Sequence, residues 1–106
     1  MSLGLVVVSL AMPYYILTYQ TTPDFIEARE PFRKQHLQWV QKWFQEQKLI
    51  LGGALKPPYQ EAILIFKTAT ENEIHAFAKA DPYVQNNLIP SYNIKEWNVV
   101  IGDQHF

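Results

Sequence analysis

His36 and Asp81 are the residues of this chain whose types and spacing best suit proton transfer. Taken as helical from Pro31 to Lys48, at 3.6 residues per turn, one segment gathers Phe32, Leu37, Trp39, Val40, Trp43 and Phe44 on one face. Lys34, Gln38, Gln41, Lys42 and Gln45 fall on the other. His36 sits within the apolar group, with Arg33 one turn earlier on the same side. A titratable ring among core residues costs stability unless it has a partner. Asp81 is the candidate partner, because it follows Phe77 by four residues and Ile74 by seven and so extends the apolar stripe of a second helix. A carboxylate that accepts from one imidazole nitrogen fixes the tautomer and leaves the other nitrogen to move a proton. Arg33 has the planar fork that suits a substrate carboxylate.

Each of these residues also has a plain structural reading. A lone histidine in an apolar stripe can be a satisfied core or interface group, and Asp-Pro is a common helix stop. Arg33 can be a rim residue whose stem covers apolar surface. Spacing shows the aim of these side chains and not their contact. Tyr83 and Tyr14 are candidate substrate-binding residues that, with Tyr59, are able to line a pocket; a structural role is the alternative for each. His75 and His105 are expected in solvent, and Trp39, Trp43 and Trp97 in the core. Gly52-Gly53 marks a bulge or a close backbone approach and lacks phosphate-loop spacing.

The elements that would position these groups follow from pattern. Tyr14 to Gln20 reads as a strand ended by Thr21-Thr22-Pro23, and Asp24 to Glu30 as either a helical turn or a loop. Pro31 suits the first turn of the long helix. Leu49 to Leu55 and Ala62 to Lys67 read as strands around the turn Lys56-Pro57-Pro58-Tyr59. Thr70-x-x-Glu73 has the form of a capping box opening a second helix, and Asp81-Pro82 ends it. The last strand is expected from Tyr92 to Ile101. The succession βαββαβ suggests an α+β, ferredoxin-like layer: an antiparallel sheet with both helices on one face.

With 106 residues the chain is one domain, read as residues 13–106 preceded by an N-terminal extension, residues 1–12, that could add a strand. Hydrophobic residues make up 48% and charged ones 18%, which leaves apolar surface for a subunit interface. A net charge of −1 gives no basic field for nucleic acid. Leu3 to Met12 is apolar but too short to span a bilayer, so no membrane partner is expected. The absence of cysteine excludes disulfides and thiolate metal sites and fits a reducing, cytoplasmic setting. Three histidines without His-x-His or His-x-x-x-His spacing point to no metal site.

Arg33-x-x-His36-Leu37, the Gly52-Gly53 strand, Ala80-Asp81-Pro82-Tyr83-Val84 and Ile94-x-x-Trp97-Asn98-Val99-Val100 together resemble the YCII-related family, from about Tyr14 to Ile101. The resemblance implies a dimeric α/β-barrel assembly of ferredoxin-like subunits and a catalytic histidine–aspartate pair at His36 and Asp81. Some members of that family eliminate hydrogen chloride from lactones in chloroaromatic breakdown. One departure is Asn87 before Leu88, where the family often has glycine; asparagine tolerates a left-handed backbone better than most residues.

The reading that follows is a small cofactor-independent enzyme of lyase or isomerase type, acting on a small carbonyl-bearing or lactone-like acid. His36 would shuttle the proton, Asp81 orient the ring, and Arg33 hold a carboxylate. The alternative is a non-catalytic ligand-binding or dimeric interaction module whose His–Asp pair serves binding or pH response. An oxygenase of similar fold that needs neither heme nor flavin ranks third. An open cavity reaching one imidazole nitrogen separates the first from a sealed structural pair.

Overall fold

Period-two alternation builds the sheet. The computed structural model describes residues 12–68 and 70–102. Strand β1 (Tyr14–Gln20) buries Tyr15, Leu17 and Tyr19 and turns Tyr14, Ile16 and Thr18 to the opposite face. Helix α1 (Phe25–Ala28) and a single 3-10 turn (Glu30–Phe32) lead into helix α2 (Arg33–Gln45). Strands β2 (Leu49–Ala54) and β3 (Glu61–Lys67) follow, then helix α3 (Glu71–Ala80), the short helix α4 (Pro82–Gln85) and strand β4 (Ser91–Trp97). All pairings are antiparallel, in the order β2-β3-β1-β4. Leu17 stands between Leu64 and Ile94 in this register. The expected α+β, ferredoxin-like layer is what the chain forms.

Both longer helices cover the face that carries Tyr15, Leu17, Tyr19, Leu64 and Phe66. Trp43 from α2, Phe77 from α3 and Phe66 from β3 meet edge to face, with ring centroids 5.0–6.0 Å apart. Each such pair adds about 0.5–1.5 kcal/mol beyond the area it buries. Trp39 Nε1 also donates to the Phe77 carbonyl at 3.0 Å. This aromatic seam fixes α2 against α3, and so fixes His36 against the end of α3.

Several expectations need correction. The long helix begins at Arg33 rather than Pro31, because residues 30–32 take the tighter 3-10 turn, and it ends at Gln45. Leu37 and Phe44 are exposed, at 47% and 51%. The buried stripe is narrower than the full apolar set; it runs along His36, Trp39, Val40 and Trp43, and Leu37 and Phe44 lie about 100° off it. The capping box forms by half: the Thr70 backbone amide helps to hold the Glu73 carboxylate, but the return bond from the Thr70 side chain is not made. The Glu73 carboxylate also accepts from Thr68 Oγ1 and pairs with Lys48 Nζ at 3.0 Å.

Strand β4 ends at Trp97, four residues early. Its partner β1 starts at Tyr14, directly opposite Trp97, so the ladder has no further rung. The Val99 amide then donates back to the Trp97 carbonyl at 3.0 Å. Trp97 lies on the outer face of the sheet and is 46% exposed rather than in the core. His75 is half-buried and packs beside Tyr92 instead of standing free in solvent. The bulge in β2 falls between Leu49 and Leu51, ahead of the glycines; Gly52 answers to close approach, since a Cβ there would lie 3.1 Å from Leu64 Cγ. Asn87 does adopt the left-handed backbone, with φ 62°. The extension expected over residues 1–12 falls almost wholly outside the described residues, as does His105.

Candidate active site

Asp81 cannot continue α3, because the following proline pushes it out of the helical region; its ψ is 124°. The chain turns there, and the carboxylate is left inside the fold, fully buried. Three donors meet it. Tyr83 N donates to Oδ1 at 2.9 Å, His36 Nδ1 lies 2.8 Å from the same oxygen, and Tyr19 Oη donates to Oδ2 at 2.7 Å. A carboxylate only accepts, so the bond to His36 places the ring proton on Nδ1 and leaves Nε2 as the free nitrogen. His36 is thus held by a group that two further donors hold in place.

The imidazole is fixed in a second way. It stacks on Tyr83 with centroids 3.7 Å apart and planes 7° from parallel. Phe25 meets the far side of this arrangement, edge-on to Tyr83 at 5.3 Å. Phe25 in turn carries the Arg29 guanidinium 5.3 Å from its ring centre. Residues from α1, α2, α4 and the sheet therefore brace one histidine ring.

His36, Tyr19, Tyr83, Phe25, Arg29 and Arg33 all line one cavity of about 170 Å³. Burial pushes the Tyr19 hydroxyl far above its usual pKa, and the neighbouring Asp81 charge adds to this. Tyr19 therefore stays a donor to Asp81 throughout the accessible pH range. Burial also raises the Tyr83 hydroxyl, against the pull of the Arg33 and Arg29 guanidinium groups. Tyr83 Oη makes no hydrogen bond of good geometry among the described residues, the Arg33 guanidinium being the donor that acts on it, so its own proton is not given to any acceptor.

Of the residues expected at a site, the structure brings His36, Asp81, Arg33 and Tyr83 together. It does not bring Tyr14. That side chain leaves the opposite face of β1, with the Lys67 ammonium 5.2 Å from its ring centre, and is not part of the cavity wall. Tyr19 and Arg29 were not legible as site residues. The available signal for Tyr19 was its place on the buried side of an alternating strand, where a phenol needs a partner. Arg29 precedes Arg33 by four residues, one turn away, in a segment whose pattern is indistinct. Among the described residues no three His, Asp or Glu side chains converge as metal ligands would. Nor is any described helix long and apolar enough to cross a membrane.

A family model, the YCII-related domain, matches residues 12–98. Among solved structures, 5-chloro-2-hydroxyhydroquinone dehydrochlorinase (TftG) from Burkholderia phenoliruptrix AC1100, in complex with 2,5-dihydroxybenzoquinone, is similar with a TM-score of 0.70 and 17% identity. The match covers 80% of this chain and 93% of that one. MtbAldR is similar with a TM-score of 0.54 and 9% identity, over 89% of this chain and 58% of its own. At these identities the likeness is one of fold. Among curated proteins none matches the sequence.

Proposed function

This chain belongs to the YCII-related family, and from that premise we propose that it is a small enzyme of lyase or isomerase type, moving a proton on a carbonyl-bearing or lactone-like acid through His36 and Asp81. One observation carries the reading. The imidazole is bonded to a buried carboxylate at 2.8 Å through Nδ1, while its ring lines a cavity able to admit a small molecule. A histidine kept only for packing has no need of both. The fold shared with a dehydrochlorinase supports the same reaction class.

In this scheme Nε2 takes a proton from carbon next to a carbonyl, and the C–H electron pair moves toward the carbonyl oxygen as an enolate. Tyr83 Oη, on the ring stacked against the imidazole, meets the charge on that oxygen, while the Arg33 guanidinium in the same cavity wall holds the substrate's carboxylate. The enolate electrons then expel a leaving group such as chloride from the adjacent carbon, which is an elimination. Return of the proton from Nε2 to a different carbon would be an isomerisation. Asp81 holds the imidazolium formed in between, and no cofactor takes part. General acid–base help of this kind is worth about 10²–10⁴ in rate.

The working unit in this reading is a homodimer. Ile16, Ile63 and Ile65 stand on the sheet face away from the helices, with Leu51 and Trp97 exposed at 63% and 46%. The test of function is proton exchange in D2O across lactones, chlorinated hydroxyquinols and small cyclic oxo acids, followed by NMR. Exchange or elimination dependent on His36 supports the reading, and inertness of the folded protein toward the whole panel counts against it.

A further inference from the structure

The proton-transfer scheme makes no use of Arg29, yet Arg29 lines the cavity. Its Nε is buried and has no hydrogen-bond partner, and its guanidinium rests against Phe25. Among the described residues neither Arg29 nor Arg33 is ion-paired to a carboxylate. Arg29 and Arg33 line the cavity that His36 also lines, and His36 is bonded to Asp81, so two cations stand against one carboxylate around a small space. Two guanidinium groups against one carboxylate leave the cavity with positive charge in excess. Buried donors without acceptors and an uncompensated charge both describe a site built for an anion.

Size and wall narrow the class. A cavity of roughly 150 Å³ with an apolar lining holds one benzene ring, and this one measures about 170 Å³. Phe25, Val40 and Leu64 supply apolar wall, while Tyr83 Oη offers one further unpartnered donor. We propose that the cavity takes an organic acid of single-ring size, its carboxylate gripped by Arg29 and Arg33 together and a second oxygen, hydroxyl or carbonyl, set against Tyr83. The forks of two guanidinium groups match the two oxygens of a carboxylate, which a neutral ring cannot offer. The inference rests on the proposed function only for placing the reacting carbon near His36 Nε2.

The test is calorimetric titration of the full chain with salicylate and with its neutral counterpart salicylamide. Salicylate is expected to bind at least tenfold more tightly than the amide. Arg29→Met keeps an unbranched stem against Phe25; it is expected to weaken salicylate about tenfold and leave the amide unchanged, in line with the loss of a charge-assisted bond. Equal affinity for acid and amide in the unmodified protein overturns the proposal, as does salicylate affinity untouched in folded Arg29→Met. The comparison on the unmodified protein decides the matter even where the variant does not fold. His36→Asn removes the base and spares both arginines. Ring acids bound tightly by a protein with no proton-transfer activity would leave the clamp standing and sink the catalytic reading, and turnover of neutral substrates alone would do the reverse.

Discussion

Tyr19 and Asp81, 62 residues apart in sequence, meet through a 2.7 Å bond from Oη to Oδ2, while His36 uses the other carboxylate oxygen. The sheet and the α3–α4 turn are joined at the group that orients the imidazole. Rotation of the Asp81 carboxylate would break the bond to Tyr19, so the phenol locks the geometry that Nδ1 sees.

Removing that hydroxyl should therefore act on both stability and turnover. Tyr19→Phe leaves Oδ2 buried with an unmet lone pair, a cost of about 1–3 kcal/mol. Thermal melting should register the loss, and kcat should fall about tenfold as Asp81 gains freedom, since 1.4 kcal/mol corresponds to a factor of ten. A variant that melts and turns over like the parent would show that Tyr19 is only core.

A second expectation concerns acid stability. The Thr68 hydroxyl and then the Lys48 ammonium hold the Glu73 carboxyl below its usual value of 4.5, against the opposing effect of burial. A carboxyl held lower in the folded than in the unfolded chain adds stability above its unfolded value and loses it as pH falls through the lowered one. Glu73→Gln should thus be less stable than the parent at neutral pH by about 1 kcal/mol, the scale of a partly exposed pair. Melting curves taken from neutral to acid pH should show that gap closing below pH 4.5. A gap of constant size would mean that the charge plays no part.

Assembly can be tested at the outer sheet face. Leu51 is 63% exposed there on the edge strand β2, opposite Ile65. A charge buried without a partner in an apolar interface is costly. Sedimentation velocity should find the parent dimeric and Leu51→Glu shifted toward monomer at equal concentration, with unchanged circular dichroism. A parent protein that sediments as a monomer at all concentrations contradicts the dimer.

How much of this was legible in the residues depends on which forces are local. His36 and Asp81 could be read from helical spacing, because a stripe aims its members into one layer whatever lies opposite. The left-handed backbone at Asn87 was legible only through the family resemblance, in which glycine often stands there; at Gln47, φ 64°, residue type gave no such sign. Tyr19 was not legible, because alternation along β1 tells that it is buried but not what it meets. Arg29 was hidden by the indistinct pattern of Asp24 to Glu30, which folds as a short helix and a 3-10 turn. Leu37 and Phe44 misled because apolar type alone made the stripe of α2 too wide. Tyr14 misled by its type as well; its place in the pleat, one residue from Tyr15, sends it to the far face.

If His36 Nε2 moves the proton, deuterium incorporation into a responsive substrate must depend on that nitrogen. The rate should be compared by NMR between the parent and His36→Ala, with melting curves confirming that both are folded. The rate should fall by about 10²–10⁴ in the variant. Incorporation by folded His36→Ala at the parental rate would contradict it.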